Sequence, residues 1–195
     1  MNDCFDSLKW CISHADLLGI STSRIVVGGS SAGGNLSAVI CQMARDNGLH
    51  GIIGQVLNIP VTCHPKYFPR DRYEYSSWTQ NADAPLLPSP RMQKFWDHYV
   101  PSDQLRPEPY HSPLMAYSLK GLPPALVQIA GLDPLRDEGI AYADALKEAG
   151  VNVKLEIFKG LPHGFGGMTN LSQSIKYNQN VVDFVKSVDQ DKSKL

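Results

Sequence analysis

Residues 26–36 read Val-Val-Gly-Gly-Ser-Ser-Ala-Gly-Gly-Asn-Leu, an apolar strand that runs through glycines and serines into a helical pattern. The spacing Gly29-x-Ser31-x-Gly33 is typical of a tight strand-to-helix turn, in which small neighbours let the backbone hold the central serine in a strained conformation. A frame centred on Ser30 would need glycine at position 32, where the chain has alanine. We therefore predict that the turn presents Ser31 as a nucleophile. The competing interpretation is an ordinary glycine-rich loop.

The composition is that of an ordinary globular protein. With 195 residues, the chain is long enough for one domain with a core of its own. A net charge of -1 and a pI of about 6.6 provide no basic field for nucleic acid or anionic lipid. No apolar run approaches the roughly 18 residues of a membrane span. The acidic start, residues 1–6, lacks the pattern of a secretory signal, which predicts a cytoplasmic location.

The four cysteines give no sign of a metal site. The chain has no Cys-x-x-Cys pair and no histidine at zinc-ligand spacing from a cysteine. Cys4 and Cys11 are seven residues apart, which places them on one face of a helix; the others are Cys41 and Cys63. We expect small buried thiols, and neither a metal nor an organic cofactor.

Helical and strand patterns alternate along most of the chain. Apolar residues at helical spacing predict helices over 3–18, 32–47, 137–149 and 172–188. Short apolar runs without alternation predict strands over 24–28 and 52–59, and further strands are predicted over 125–130 and 151–158. Such alternation indicates an α/β protein with a parallel sheet. We expect residues 189–195 to form a frayed tail.

Residues 62–112 interrupt this alternation with many prolines and aromatic residues. Only 90–99 has a clear helical pattern, with Ser89 as the expected N-cap and Pro90 at the first helical position. Long irregular insertions in compact domains usually carry function. The aromatic side chains either line a pocket or pack the insertion against its neighbours: Tyr67, Phe68, Tyr73, Tyr75, Trp78, Phe95, Trp96 and Tyr99.

Three candidate catalytic side chains follow predicted strands. In an open parallel sheet, reactive groups lie in the loops at the carboxyl ends of the strands. Ser31 follows the first strand, Asp133 the third and His163 the fourth. A serine hydroxyl becomes a good nucleophile when a histidine takes its proton and a buried carboxylate orients that histidine. The order Ser, Asp, His is the one expected for such a triad on an α/β-hydrolase sheet.

Each member of this trio has rivals in the sequence. Asp133 precedes a proline and therefore also fits a turn or a helix cap. Asp137 and Glu138 are close enough to supply the acid instead. His163 alone follows a strand in a glycine-flanked loop, and its competitors are His14, His50, His64, His98 and His111.

The segments 28–36 (Gly-Gly-Ser-Ser-Ala-Gly-Gly-Asn-Leu), 133–139 (Asp-Pro-Leu-Arg-Asp-Glu-Gly) and 163–165 (His-Gly-Phe) resemble the hormone-sensitive-lipase branch of the α/β-hydrolase esterases, especially its fungal members. The resemblance covers nearly the whole chain and implies Ser31 as nucleophile, Asp133 as acid and His163 as base. It also implies carboxylic esters as the substrate class, and it makes 62–112 a cap-like insertion within a single domain, 1–195. Many family members have Asp where this chain has Ser30.

The main departure from the family is the His-Gly-Gly-Gly loop, which this chain lacks. In the family that loop precedes the serine and supplies oxyanion-hole donors, together with the residue after the nucleophile. The resemblance therefore implies the C-terminal half of an α/β-hydrolase fold, about four parallel strands, with the Ala32 N–H as the remaining donor. Loss of one oxyanion donor costs on the order of 100- to 1000-fold in rate.

This shortened sheet also predicts a partner. The strand before Ser31 becomes an edge strand of apolar residues, and only the C-terminal helix is left to cover one face of the sheet. We expect a second copy, or another polypeptide, to cover the exposed part.

These observations lead to one main functional expectation and two alternatives. The chain is expected to be a serine ester hydrolase of the carboxylesterase or lipase type, which acts on a small ester or lactone through an acyl-enzyme. Within enzymes, the alternative is acyl transfer or cyclisation in biosynthesis. The missing loop favours a third possibility, a non-catalytic binding subunit.

Overall fold

The computed structural model describes residues 1–101 and 104–192. Its α-helices are α1 Asn2–Ser13, α2 Ala15–Leu18, α3 Ala32–Asp46, α4 Ser77–Gln80, α5 Ser89–Tyr99, α6 Arg136–Glu148 and α7 Ser172–Lys192. Its strands are β1 Ile25–Ser30, β2 Ile52–Asn58, β3 Ala125–Leu132 and β4 Val153–Pro162. Short 3-10 turns occupy Pro113–Met115 and Phe165–Gly167.

The four strands form one sheet in the order β1-β2-β3-β4, and every neighbouring pair is parallel. The predicted α/β class and four-stranded parallel sheet are therefore confirmed. Because all four strands run the same way, their carboxyl ends meet at one edge of the sheet. That edge carries the loops after β1, β3 and β4.

Helices cover the two faces of the sheet unequally. On one face, α3 and α6 pack against β2 and β3 in a core that includes Leu57, Ile129 and Tyr142. On the other face, α7 alone contributes Phe184 and Val188 to a smaller core with β2 and β3. Gly54 in β2 makes this close approach possible, because a Cβ there would lie 3.1 Å from Phe184 Cε1.

The long connection between β2 and β3 packs mostly on itself and on α6. Trp96 is 1% exposed and belongs to a cluster with Leu87, Met92 and Leu135. The Phe68 and Tyr75 rings stack with centroids 4.2 Å apart. Much of the aromatic content of this segment is therefore core, as one of the two interpretations expected.

The first predicted helix, 3–18, is wrong in one respect, because it is two helices that meet at His14. The His14 ring stacks on Trp10 with centroids 4.4 Å apart, and its backbone leaves the helical region at φ -113°. The second helix ends as predicted at Gly19, which adopts the left-handed conformation with φ 65°.

The C-terminal end also differs from the prediction. Helix α7 continues to Lys192, so the expected frayed tail is wrong for 189–192, while 193–195 lie outside the described residues. Asp189 forms an ion pair with Arg24, which ties this end of α7 to the residue before β1. No helix in the described ranges has the length and apolarity that a membrane crossing requires.

Two smaller expectations need correction. Helix α5 begins at Ser89, whose hydroxyl donates to the Trp78 carbonyl 2.6 Å away and so does not cap the helix. All four cysteines are free, but only Cys41 and Cys63 are buried; Cys4 and Cys11, on α1, are half-buried.

Candidate active site

The turn between β1 and α3 holds Ser31 in a conformation that L-residues rarely adopt. Its backbone lies at φ 57° and ψ -118°. The Ser31 N–H donates to the Asn58 carbonyl at 2.9 Å, and the Val61 N–H donates to the Ser31 carbonyl at 3.3 Å. The end of β2 and the residues just after it therefore hold this strained residue in place on both sides.

The two glycines of the motif are under different steric demands. A Cβ on Gly29 would lie 2.5 Å from the carbonyl carbon and oxygen of Gly33, a distance that real Cβ atoms do not reach. A Cβ on Gly33 would have no other atom within 4 Å. Close backbone approach therefore requires glycine at position 29 only.

The structure brings Ser31, His163 and Asp133 together from three separate loops. His163 Nε2 lies 2.9 Å from Ser31 Oγ, and His163 Nδ1 lies 2.7 Å from Asp133 Oδ2. Since a carboxylate can only accept, Nδ1–H donates to Asp133 and leaves Nε2 to accept the Ser31 hydroxyl proton. Such an arrangement is able to activate a serine hydroxyl for attack on an electrophilic carbon.

Asp133 is fixed by several contacts and is 1% exposed. Its Oδ1 accepts from the Leu135 N–H at 3.0 Å, which leaves Oδ2 for the histidine. The Asn81 side-chain amide, from the long connection, donates to the Asp133 carbonyl at 3.0 Å. The carboxylate is thus oriented before any substrate arrives.

The rival carboxylates bind elsewhere. Asp137 accepts hydrogen bonds from the Ser76 and Ser77 N–H groups, both at 2.7 Å. Glu138 accepts from the Thr62 and Cys63 N–H groups at 2.8 and 3.2 Å. Both therefore anchor the long connection to α6.

The rival histidines also lie apart from the serine. His64 and His111 are buried within the long connection around Ser112, and burial lowers the pKa of both. His14 stacks on Trp10, while His50 and His98 are exposed. Among the described residues, His163 is the histidine that meets Ser31 Oγ.

A cavity of about 460 Å³ opens beside Ser31 and His163, and a smaller one of about 190 Å³ lies next to it. Both are lined largely by apolar side chains. Of the eight aromatic residues considered from the sequence, Phe95, Trp96 and Tyr99 border these cavities. The cavities share the residues Ala32, Val61, Met92 and Phe95.

Sequence reasoning missed two residues of this region. Asn35 is buried on α3, and its amide donates to the carbonyls of Val61 and His111, both at 2.9 Å. A polar residue on a buried helix face was the available signal. Leu86 lines the larger of the two cavities, and its backbone has a positive φ of 70°. Its carbonyl accepts a hydrogen bond from the Arg91 side chain at 2.7 Å. No sequence pattern indicates this residue.

The first turn of α3 borders the same cavity. Ala32 is the first residue of α3, where backbone N–H groups have no intrahelical acceptor, and it lines both cavities. The helix N-terminus also favours negative charge there. No group of three metal-ligating side chains lies together within 1–101 and 104–192.

A parallel sheet with a serine at a strand-to-helix turn, met by a histidine and an aspartate from later loops, defines the α/β-hydrolase class. The sequence profile of the alpha/beta hydrolase fold family matches residues 1–167, and the chain belongs to this family. The resemblance to the hormone-sensitive-lipase-like branch is thereby confirmed.

Known proteins similar to this chain include esterases and a cyclase. Carboxylesterase NlhH of Mycobacterium tuberculosis (strain ATCC 25618 / H37Rv) is 39% identical over 168 residues, which cover 85% of this chain and 50% of that protein. The crystal structure of vibralactone cyclase superimposes on this chain with a TM-score of 0.88 at 32% sequence identity. The match covers 94% of this chain and 55% of the cyclase chain. The structure of a bacterial heroin esterase matches with a TM-score of 0.84 at 36% sequence identity. That match covers 96% of this chain and 58% of the esterase chain. This chain thus spans about half the length of these proteins.

Proposed function

We propose that the chain is a serine hydrolase of carboxylic esters that acts through an acyl-enzyme on Ser31. The observation that carries the proposal is the continuous hydrogen-bonded series Ser31–His163–Asp133 beside an apolar cavity. The names of the relatives support an ester as the substrate class, because NlhH is a carboxylesterase and a further relative, from Pseudomonas putida, is an ethyl acetate hydrolase.

The acylation step follows from the positions of the three side chains. Ser31 Oγ attacks the ester carbonyl carbon while its proton passes to His163 Nε2. Asp133 stabilises the imidazolium that forms, and the Ala32 N–H donates to the developing oxyanion. The tetrahedral intermediate then collapses, the C–O bond to the alcohol breaks, and His163 returns the proton to the departing alkoxide.

Deacylation uses the same groups with water as the nucleophile. His163 Nε2 takes a proton from water, the hydroxide adds to the acyl carbon, and the second intermediate releases the carboxylic acid. The proton on His163 returns to Ser31 Oγ, which restores the starting state. Every step in this sequence uses groups of the chain, the ester and water.

Turnover depends on how many donors meet the oxyanion. The 195 residues contain no His-Gly-Gly-Gly run, which leaves the Ala32 N–H as the donor identified beside Ser31. Since one lost donor costs about 100- to 1000-fold in kcat, we expect these 195 residues by themselves to turn over slowly, with Ser31 still reactive. Reaction with a fluorophosphonate therefore tests the nucleophile separately from complete catalysis.

The decisive experiment compares the parent chain with Ser31→Ala and Asp133→Asn on p-nitrophenyl acetate. We expect background rates with Ser31→Ala, and a loss of about 10⁴-fold in kcat with Asp133→Asn, because the wrong histidine tautomer is then favoured. The fluorophosphonate should label the parent at Ser31 alone. Equal rates in the parent and Ser31→Ala, without labelling, would reject the proposal.

We propose that residues 62–112 act as a cap-like insertion over this site. Support comes from α5, whose Met92 and Phe95 line both cavities, and from Leu86 and Leu87 ahead of it. The apolar lining suits a small ester or lactone with an apolar substituent. Rates measured with acetate, butyrate and octanoate esters would report the chain length that the insertion accommodates.

A non-hydrolytic reaction is the second candidate, supported by the similarity to vibralactone cyclase. In that case the acyl group on Ser31 would pass to an alcohol, within one molecule or between two, instead of to water. Mass spectrometry of the products formed with a hydroxy-ester distinguishes a lactone from the free hydroxy-acid. A purely binding role predicts neither product and no labelling of Ser31.

We also propose that the chain associates, either with a second copy or with another polypeptide, through the free edge of β1. In the described residues β1 pairs with β2 alone, and its Val26 and Val27 are partly exposed. Val182 and Val185 on α7 are also 45% and 38% exposed. An edge strand with partly exposed apolar side chains, as β1 has, favours pairing with a strand of another chain. A single monomeric species in sedimentation velocity at micromolar concentration would contradict this.

A further inference from the structure

The nucleophile and its acid lie on different elements, so something must fix the distance between them. Ser31 is held by residues 58–61, at the end of β2 and directly after it, through the Asn58 and Val61 backbone contacts described above. Asp133 belongs to the loop before α6, where the Arg136 N–H donates to the Asp133 carbonyl at 3.1 Å. The first turn of α6 and the acid are therefore directly hydrogen-bonded to each other.

Glu138, in that first stretch of α6, binds the two residues that follow Val61. Its Oε1 accepts from the Thr62 N–H at 2.8 Å and from the Cys63 N–H at 3.2 Å. In return, the Thr62 hydroxyl donates to the Glu138 carbonyl at 2.6 Å. A chain of direct contacts thus runs from the acid loop through α6 to the segment that holds the nucleophile.

We infer that Glu138 is a positioning residue that sets the separation of Ser31 and Asp133 by clamping Thr62 and Cys63 to α6. The inference rests on the proposed function of Ser31 and Asp133. Glu138 touches neither of them through its side chain, so its effect passes through the backbone at Thr62, Cys63 and Val61. A shift of this segment relative to α6 would lengthen the contacts of His163.

The charge state of Glu138 suits this role. Its side chain is fully buried, and the charged or titratable groups that act on it and on its surroundings are Asp133, Asp137, Arg70, Cys63 and Tyr75. Burial, with a smaller contribution from Asp133 and Asp137, raises the pKa of Glu138 to about 8. At neutral pH the group is therefore mostly protonated, accepts both N–H bonds through Oε1, and adds no negative charge near the acid.

A buried anchor without a catalytic consequence is the alternative. Glu138 Oε2 and the Tyr75 hydroxyl are both buried without a hydrogen-bond partner in the described part of the chain, so only Oε1 of the carboxyl group satisfies donors in the core. An amide would keep the Oε1 acceptor, whereas a thioether of similar length would remove it. Glu138→Gln and Glu138→Met therefore separate the clamp from simple space filling.

The test measures kcat and KM for p-nitrophenyl acetate at pH 7 in the parent and both variants. A misalignment of about 1 Å costs on the order of 100-fold in rate, so we expect kcat to fall about 10- to 100-fold in Glu138→Met. We expect KM within about threefold, because the cavity lining is untouched. Glu138→Gln should restore kcat to within about threefold of the parent. The inference is overturned if Glu138→Met keeps the parent kcat, or if Glu138→Gln is as slow as Glu138→Met.

A second readout keeps the test independent of turnover. The His163 Nδ1 proton, held between nitrogen and the Asp133 carboxylate, should give a low-field proton NMR signal that Asp133→Asn abolishes. We expect this signal in the parent and Glu138→Gln, and its shift or loss in Glu138→Met. If the parent shows the signal but neither labelling nor turnover, the proposed function fails while the positioning role is still tested. If Glu138→Met does not fold, a pair of Thr62 variants tests the same contacts. Thr62→Val removes the hydrogen bond from the Thr62 hydroxyl to the Glu138 carbonyl, and Thr62→Ser keeps it. Parent-like kcat and signal in Thr62→Val would then overturn the inference.

Discussion

The steric difference between the two motif glycines leads to a sharp prediction about Gly29→Ala. The added Cβ would lie 2.5 Å from the Gly33 carbonyl carbon and oxygen and 2.8 Å from the Gly33 Cα, all of them backbone atoms. Since side-chain rotation cannot relieve this contact, β1 and α3 must move apart. Overpacking of this kind costs about 1–3 kcal/mol, and a backbone neighbour favours the upper end. At roughly 2–4 °C per kcal/mol for a chain of this size, we expect the unfolding midpoint to fall by about 6–12 °C.

The matched control is Gly33→Ala, which changes the same motif by the same methyl group. Nothing lies within 4 Å of that Cβ, and Gly33 is in the first turn of α3 at a negative φ. Alanine there should leave the midpoint unchanged or slightly raised. Thermal unfolding by circular dichroism measures both variants, and fluorophosphonate labelling reports Ser31. A midpoint for Gly29→Ala equal to the parent, or an equal loss in Gly33→Ala, would refute the reasoning.

Three further predictions follow from single contacts. Because the pKa of folded Glu138 is about 8 against 4.5 for an ordinary glutamate, this group favours folding fully below pH 4.5 and loses that contribution as the pH rises to 8. The loss in the free energy of unfolding amounts to at most about 5 kcal/mol. In urea unfolding measured from about pH 5 to 8, the Glu138→Gln variant should not show this loss, whereas the parent should. Asn35→Leu leaves two buried carbonyls without their donor, so we expect about 2–4 kcal/mol less stability in urea and slower labelling of Ser31; parent-like values for both would contradict the role given to Asn35. Gly54→Val should displace Phe184 and α7, with faster amide exchange in α7 and unchanged exchange in α6.

Much of the fold could be predicted because its local signals agree. The strands β1, β2 and β3 are mostly apolar, and strands alternating with amphipathic helices leave a parallel sheet as the simplest arrangement. Strand ends were less accurate, since β3 reaches Leu132 and β4 reaches Pro162. These extensions depend on pairing between the two strands, which residue type alone does not specify. At the break between α1 and α2, the His14 ring contacts Trp10, and residue type alone does not specify that contact either.

For the site, the sequence predicted the loops better than the contacts. Strand order placed Ser31, Asp133 and His163 at one edge of the sheet, and the structure brings their side chains within hydrogen-bond distance. The sequence favoured Asp133 but left Asp137 and Glu138 as rivals, since all three lie within six residues. What distinguishes the three carboxylates is the hydrogen-bond partner of each. Asp133 binds the His163 ring, whereas Asp137 and Glu138 bind backbone N–H groups of the long connection. The same limit hid Leu86, whose place in the cavity depends on the path of a loop between two prolines.

The left-handed backbone at Ser31 has two counterparts nearby. Among the described residues, Ile59 at φ 41° and Leu86 at φ 70° are the other non-glycine residues with positive φ. Ile59 lies in the segment that holds Ser31, and Leu86 borders the cavity. At about 1–3 kcal/mol each, their combined strain is a sizeable share of a typical net stability of 5–15 kcal/mol. Ile59 is buried in the core, so its packing offsets its strain. At Ser31 and the exposed Leu86, folding alone would favour glycine, so a lineage released from selection for this site would be expected to drift toward glycine at these two positions and gain stability.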